Sequence, residues 1–241
     1  MSETPRSENQ KKDSIGRDIS ILVVITLAAG VLLGAAHSIT KGPIAIAKER
    51  AQEEARQSVM QGAETFETIT DTADAEASGQ SLDVQSRIQE ALDEKGLAGT
   101  RVEQVSLAKD ASGKTIGYVV ACTNPEGYGG DVSLMCGISA SDGTLTIEGI
   151  SFLELTETAG MGMRAKESSF IDQFAGKKVT EGESLVYTKD GASMDNEIDA
   201  ISGCTVTTTA VTKDVNAALE AVRAVLAPDG AEDGAKAGQE G

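Results

Sequence analysis

The hydrophobic pattern begins with one long apolar run near the amino terminus. Residues 19–39 read ISILVVITLAAGVLLGAAHSI and contain no Asp, Glu, Lys or Arg. A helix of about 20 apolar residues crosses the ~30 Å hydrocarbon core of a bilayer, whereas the apolar segment of a cleaved signal peptide has roughly 7–15 residues. The run therefore predicts a single transmembrane helix that is kept in the mature protein.

Polar, charged sequence flanks this run on both sides. Residues 1–18 are predicted to be a disordered cytoplasmic tail. The basic residues near the run are Arg6, Lys11, Lys12 and Arg17 before it and Lys41, Lys48 and Arg50 after it. This slight bias permits a cytoplasmic amino terminus. We therefore expect a single-pass protein of the cell membrane whose main domain is extracytoplasmic.

After the run, a charged segment with helical spacing predicts a stalk. Its small and apolar positions recur every three or four residues, at Ile44, Ala47, Ala51, Ala55 and Val59. Residues 64–80 are rich in Thr, Asp and Ala and are predicted to be a connection into the domain. Residues 40–80 are thus assigned to the stalk and this connection.

Residues 81–227 have the pattern of an α+β domain. Alternating or continuous apolar segments predict strands at 102–108, 115–123, 131–139, 144–155 and 185–187. Helical spacing predicts helices at 82–94, 166–175 and 207–226. Turn-forming residues between the strands indicate antiparallel hairpins. The acidic, Gly- and Ala-rich residues 228–241 are predicted to be a disordered tail.

Composition excludes several classes of function. The net charge of −17 argues against nucleic acid as a partner, because its phosphates would repel the chain. The sequence has one histidine, His37, which lies in the apolar run. No histidine is therefore available for a Ser-His-Asp or Cys-His catalytic set, or for a metal site built from histidines. We predict no catalytic residue and no metal site.

The cysteines leave one question open. Cys122, Cys136 and Cys204 form no CxxC pair or other cluster motif. Cys122 and Cys136 lie on neighbouring predicted strands and could form a disulfide in an oxidising compartment. The alternative is that both are buried free thiols, which are common in protein cores.

The last predicted helix begins beside a glycine and a cluster of hydroxyl groups. Residues 199–209 read DAISGCTVTTT. The first amides of a helix lack intrahelical partners and lie at the positive end of the helix dipole. Ser202, Gly203 and the threonines therefore form a candidate phosphate site. The simpler interpretation is that Ser202 or one of the threonines only caps the helix.

Two glycine-containing loops are further candidates for ligand contact. Residues 127–130 read GYGG and lie between predicted strands, and residues 157–162 read ETAGMG and have no periodicity. Glycine lets the backbone approach another group closely. For residues 127–130 an ordinary hairpin turn is the alternative.

The hydroxyl cluster resembles the attachment sequence of the FMN-binding domain family. The matching pattern is Asp-x-x-Ser-Gly-x-Thr, at residues 199–205. In this family a flavin transferase joins the FMN phosphate to the threonine by a phosphoester bond, which implies covalent FMN on Thr205. Cys204 stands where the family usually has alanine. The resemblance also implies that the transferase recognises Asp199, Ser202, Gly203 and Thr205.

The loops strengthen this resemblance. Residues 157–162 are similar to the family's Glu-Thr-Pro-Gly-Leu-Gly, a loop that lies against the isoalloxazine ring, with Ala159 and Met161 replacing the proline and the leucine. Residues 189–192 also resemble the family pattern, so Lys189 could offer positive charge to the flavin or its phosphate. The cofactor-binding residues implied in this way are Gly129, Gly130, Glu157, Thr158, Gly160, Met161, Gly162, Lys189, Ser202, Gly203, Cys204, Thr207 and Thr208.

The order of these features along residues 19–226 is similar to that of the flavin-bearing G subunits of Rnf electron-transport complexes. This resemblance implies an electron relay without its own catalytic site, in a complex that couples ferredoxin:NAD oxidoreduction to ion movement. The implied partners are the other membrane and iron-sulfur subunits of the complex and the flavin transferase. Two alternatives stay open: the C subunit of a sodium-translocating NADH:quinone reductase, and a membrane-anchored extracytoplasmic binding module without redox chemistry.

Overall fold

The computed structural model describes residues 8–71 and 79–227. The chain divides into two units, Met1–Ala51 and Gln52–Gly241. The predicted tail at 228–241 lies outside the described residues, as do the first part of the predicted cytoplasmic tail and part of the predicted connection.

Helix α1 spans Glu8–Val59. It begins well before the apolar run, so residues 8–18 are helical where the sequence predicts disorder; helix growth from an existing helix is cheap compared with nucleation. The large apolar side chains of residues 19–39 are each at least half exposed. Within the described residues this is the one helix long and apolar enough to cross a membrane.

The domain contains a six-stranded antiparallel sheet in which neighbours in sequence are neighbours in space. Its strands are β1 (Thr65–Asp71), β2 (Arg101–Lys109), β3 (Thr115–Asn124), β4 (Val132–Ser141), β5 (Thr144–Leu155) and β6 (Lys178–Val179). Asp142 and Gly143 have φ of 50° and 78° in the turn between β4 and β5. Left-handed turns of this kind match the twist of a hairpin. The predicted α+β class is confirmed.

Two helices cover one face of the sheet. They are α2 (Gly79–Glu94) and α4 (Thr205–Leu226). The apolar side of α4, including Val211, Val215 and Leu219, packs with the buried residues of β3 and β4. Because aromatic side chains are few, this core is built almost entirely from aliphatic residues.

Shorter elements differ more from the predictions. The helix predicted at 166–175 is a 3-10 turn (Gly162–Lys166) followed by the one-turn helix α3 (Ser168–Ile171). Two further strands, β7 (Val186–Thr188) and β8 (Glu197–Asp199), pair in parallel beside the main sheet. The sequence pattern predicts none of the strands β1, β6 and β8. Strand β1 lies within the predicted connection at 64–80.

The end of α1 covers part of the other face of the sheet. Ala55, Val59 and Met60 are at most 4% exposed. They form a second apolar cluster with residues of β2, β3 and β4, namely Ala108, Val119, Ala121 and Met135. Residues 52–59 of α1 are therefore part of the domain.

The three cysteines are free and buried. Cys122 lies opposite Leu134, and Cys136 lies opposite Val120. The two cysteines are therefore diagonal neighbours on the face of the sheet that packs against α4, and the structure has them as thiols.

Candidate functional site

Three segments far apart in sequence meet around a cavity of about 270 Å³. They are the loop after β3, the loop after β5 and the start of α4. The cavity is lined by Tyr128, Glu157, Thr158, Met161, Gly162, Gly203, Cys204, Thr205 and Val206. The hydroxyl cluster and both glycine-containing loops thus contribute to one place.

The carboxylate of Glu157 connects the three segments. Its Oε1 accepts hydrogen bonds from the amide of Tyr128 at 3.0 Å and from the hydroxyl of Thr207 at 3.0 Å. Its Oε2 accepts the amide of Gly129 at 3.1 Å. A carboxylate that accepts several hydrogen bonds is held in one orientation.

Two glycines make room for this arrangement. A Cβ on Gly162 would lie 2.7 Å from Oε2 of Glu157. A Cβ on Gly129 would lie 2.2 Å from the carbonyl oxygen of Thr156. The sequence predicts that glycines here allow a close approach, and in the structure the approaching groups belong to the chain itself.

Helix α4 presents an open amino-terminal end to the cavity. Cys204 occupies the cap position and makes no side-chain capping hydrogen bond. The first helical bond runs from the amide of Thr208 to the carbonyl of Cys204 at 3.0 Å. The amides before Thr208 therefore precede the helical ladder, at the positive end of the dipole, where an anion is stabilised.

The threonine hydroxyls at this end differ in their partners. Thr207 donates to Glu157, and Thr208 donates to the Cys204 carbonyl at 2.9 Å. Thr209 donates to the Thr205 carbonyl at 2.8 Å and contacts the Tyr187 hydroxyl at 3.1 Å. Only the Thr205 hydroxyl among these four has no hydrogen bond to the described part of the chain, and Thr205 lines the cavity.

Some of the residues implied by the family resemblance lie away from the cavity wall. Lys189 and Ser202 are exposed and do not line it. The carboxylate of Asp199 accepts the amide of Ala192 at 2.6 Å, which ties β8 to the loop at 189–192. The others outside the wall are Gly129, Gly130, Gly160, Thr207 and Thr208.

Sequence reasoning missed two residues that line the cavity. Tyr128 and Val206 are 73% and 48% exposed, and Met161 beside them is 49% exposed. Tyr128 stands inside the glycine-rich loop, and Val206 is an apolar residue outside the buried stripe of its helix. Both positions can be read from the sequence, but neither residue belongs to a recognised ligand-binding motif.

The most perturbed ionisable groups lie in the core and not in the cavity wall. Asp214 of α4 is fully buried, and burial, with the nearby Glu103 carboxylate, raises its pKa to about 9. Burial also raises the pKa of Cys122 and Cys136, with a further contribution from Asp214. In residues 8–71 and 79–227 no cluster of three or more His, Cys, Asp or Glu side chains could hold a metal ion.

Comparison with known proteins assigns this region to a family. Residues 127–220 match the family model described as FMN-binding domain. The chain is 34% identical over 202 residues to the G subunit of the Na+-translocating ferredoxin:NAD+ oxidoreductase complex of Acetobacterium woodii, and the match covers 83% of this chain and 87% of that one. It is 28% identical over 210 residues to the G subunit of the ion-translocating oxidoreductase complex of Methanosarcina acetivorans, covering 87% and 95% of the two chains.

A solved structure is weakly similar. The C subunit of the Na+-translocating NADH-quinone reductase of Parabacteroides distasonis is 24% identical, with a TM-score of 0.44, over 69% of this chain and 80% of that one. The similarity to the G subunits extends along most of both sequences, and every residue lining the cavity lies within the FMN-binding match. The chain therefore belongs to the family of G subunits of ion-translocating oxidoreductase complexes.

Proposed function

We propose that this chain is a membrane-anchored electron relay that carries FMN bound covalently to Thr205. Its similarity to the G subunit of a ferredoxin:NAD+ oxidoreductase complex supports a place in a complex that couples ferredoxin:NAD oxidoreduction to ion translocation. FMN, when bound, supplies one- and two-electron transfer, while the protein determines its position and surroundings. The chain itself is expected to have no separate catalytic site.

The cavity wall suits both ends of such a cofactor. The uncapped start of α4 offers free amides and a positive dipole to a phosphate. Beside it, the exposed side chains of Tyr128, Met161 and Val206 form an apolar, polarizable rim suited to an aromatic ring. The volume of about 270 Å³ is just under the usual range of about 300–1,000 Å³ for ligand pockets, so the site suits a ligand that is partly exposed.

The main support for attachment at Thr205 is that its hydroxyl makes no hydrogen bond within the described part of the chain. The neighbouring hydroxyls of Thr207, Thr208 and Thr209 all donate to groups within the chain. Thr207 and Thr208 are at most 2% exposed, so another molecule cannot reach their hydroxyls, whereas Thr205 is only partly buried and lines the cavity. This supports Thr205 over its neighbours independently of the motif.

The attachment reaction is a phosphoryl transfer onto oxygen. The bond that forms joins Oγ of Thr205 to the flavin phosphorus. The bond that breaks joins that phosphorus to the nucleotide leaving group of an activated flavin donor, and the hydroxyl proton leaves with the nucleotide. No electron is gained or lost, and the protein gains the mass of FMN minus water. The donor is held by the flavin transferase, which is expected to recognise Asp199, Ser202, Gly203 and Thr205.

The apolar part of α1 supports a membrane anchor. Its exposed apolar side chains would be covered by lipid, since exposing them to water costs roughly 25 cal/mol per Å². The slight excess of basic residues before the run supports a cytoplasmic amino terminus and an extracytoplasmic domain. The proposed partners are the other membrane and iron-sulfur subunits of the complex, and the near full-length relatives favour this assignment over the C subunit of a NADH:quinone reductase.

Mass spectrometry of the protein produced together with its flavin transferase tests the proposal. We expect the mass of FMN minus water on the peptide containing Thr205, and loss of this addition in Thr205→Ala. Thr209→Ala is the matched control, because Thr209 is also partly buried near the start of α4 but its hydroxyl is engaged. Wild-type protein that remains unmodified, or flavin retained in Thr205→Ala, would refute the attachment.

A further inference from the structure

We infer that Glu157 is the positioning residue of this site, because it fastens the loop at 127–130 and the first turn of α4 to each other. Only the consequence for the flavin depends on the proposed function. The fastening itself is a property of the chain and can be measured without the cofactor.

The bonds of Glu157 span long distances in sequence. Its partners Tyr128, Gly129 and Thr207 lie 29, 28 and 50 residues away. Among the described residues, no other hydrogen bond to a side chain joins the loop at 127–130 to the loop after β5, so the two amides depend on this carboxylate. Releasing it would free both walls of the cavity at once.

The chemistry of these bonds requires a carboxylate. Tyr128 and Thr207 donate to one oxygen of Glu157, and Gly129 donates to the other. A glutamine has one oxygen and one NH₂ group, so its NH₂ group would face a donor whichever way the amide is turned. Glutamine is nearly the same size as glutamate, and yet it cannot satisfy all of these donors.

Close packing keeps the carboxylate in place. A Cβ on Gly162 would lie within 2.8 Å of the Cβ and Cδ atoms of Glu157. The side chain of Glu157 therefore packs directly on the backbone of its own loop and has little room to turn. Glu157 also accepts the hydrogen of the Thr207 hydroxyl, so Thr205 has the unpaired hydroxyl at the cavity.

Glu197 provides a matched control in the same domain. Its Oε2 alone accepts the amides of Ser193 and Met194 at 2.9 and 3.1 Å and contacts the Ser193 hydroxyl at 3.3 Å. A glutamine at this position can keep all of these bonds through its single oxygen. Glu197→Gln therefore removes a negative charge without breaking the hydrogen bonds.

Amide hydrogen exchange on the full chain in detergent, produced without flavin transferase, tests the fastening. In Glu157→Gln we expect exchange about tenfold faster in a peptide covering 127–130, because either orientation of the glutamine amide loses the bond to the amide of Tyr128 or to that of Gly129. Glu197→Gln should leave this segment unchanged. Normal exchange at 127–130 in Glu157→Gln would overturn the inference.

A second variant keeps the test decisive if Glu157→Gln unfolds. Thr207→Val removes only the hydroxyl bond that anchors the first turn of α4. It should speed exchange of the amides at 208–211, which form the first helical hydrogen bonds, while the amides at 127–130 stay protected. Protection of 208–211 in Thr207→Val equal to that of the wild type would also overturn the inference.

The flavin-loaded protein provides a spectroscopic test. Tyr128 lines the cavity next to the amide that Glu157 holds, and an aromatic ring in contact with a flavin quenches its fluorescence. We expect the attached flavin to fluoresce at least about twofold more strongly in Glu157→Gln than in wild type or Glu197→Gln, since a released loop no longer holds the ring in place. Equal flavin fluorescence in the wild type and both variants would count against positioning by Glu157.

If wild-type protein takes up no flavin, the proposed function fails, while the exchange experiment still decides the role of Glu157.

Discussion

Asp214 lies on the buried side of α4, and neither of its carboxylate oxygens has a hydrogen-bond partner in the described part of the chain. The charged groups that act on it are Glu103, which raises its pKa, and Arg101, which lowers it. The thiols of Cys122 and Cys136 face it from β3 and β4. With a pKa of about 9, the carboxyl is neutral at physiological pH.

This residue should make the stability of the domain depend on pH. The pKa of Asp214 in the folded state is about 9, whereas an aspartate in an unfolded chain has a pKa of about 3.9. Between these values the folded state binds the additional proton, so the free energy of unfolding falls as pH rises, by up to about 1.4 kcal/mol per pH unit. Above pH 9 both states are ionised and this contribution becomes constant.

We predict that Asp214→Asn flattens this dependence and stabilises the domain at about pH 8, because asparagine has no proton to lose. Urea unfolding of the flavin-free protein from about pH 5 to about pH 9 measures the slope. Asp142→Asn makes the same chemical change at an exposed turn and should keep the wild-type slope. Parallel curves for wild type and Asp214→Asn would show that the buried carboxyl does not titrate in this way.

At the scale of elements, the end of α1 rests on a pair of glycines. Gly137 of β4 and Gly149 of β5 lie opposite each other in the sheet. A Cβ on Gly137 would lie 2.0 Å from the carbonyl oxygen of Val59, but a Cβ on Gly149 would lie 3.7 Å from the Cα of Val59. The first distance is a backbone clash, and the second is an ordinary contact.

We therefore predict opposite outcomes for two similar substitutions. Gly137→Ala should reduce the free energy of unfolding by about 1–3 kcal/mol, because the helix must move away from the sheet. Gly149→Ala should be near neutral or slightly stabilising, since alanine restricts the unfolded chain. Thermal and urea unfolding of both variants measures this difference. Equal stabilities would mean that the end of α1 does not pack closely on Gly137.

The sequence predicted most of the regular elements because their periodicity is strong. Strands β2 to β5 and helices α2 and α4 have apolar residues at the spacing that a sheet or helix buries. Strand β1 was missed because its Thr- and Asp-rich composition resembles a loop, although residues 65–71 pair with β2 along their length. Strand β8 has three residues, and so short a segment shows no period.

The segments that form the site could be predicted, but the hydrogen bonds that join them could not. The motif at 199–205 and the loop at 157–162 led to the cavity because their residue types are unusual at those places. The role of Glu157 could not be predicted, because its partners lie up to 50 residues away and hydrogen bonds at that separation follow only from the folded backbone. The place of Tyr128 in the cavity wall depends on the same long-range contacts.

At the scale of the whole molecule, the domain starts before its first strand. The boundary between the two units falls at Gln52, and the buried residues Ala55, Val59 and Met60 follow it. A fragment that begins at Gln52 keeps this apolar cover, whereas one that begins at Glu64 exposes the cluster on β2, β3 and β4.

We predict that the longer fragment is more stable by roughly 3–6 kcal/mol, from about 1.5–3 kcal/mol for each large buried side chain. Urea unfolding of the fragments 52–241 and 64–241, both without the apolar run, measures this difference. Replacing Val59 by Ala in the longer fragment should lower its stability and so reproduce part of this difference. Fragments of equal stability would show that the end of α1 contributes little to the core.

The cavity wall includes the first turn of α4, the last helix described, and α4 also closes the main core against β3 and β4. During synthesis the ribosome releases this helix after strands β1 to β8. On the proposed function, a nascent chain would therefore expose the hydroxyl of Thr205 in an unformed site until α4 has emerged. Attachment of a cofactor at this position would then follow folding. A transferase that recognises the folded site would attach no flavin to truncated chains.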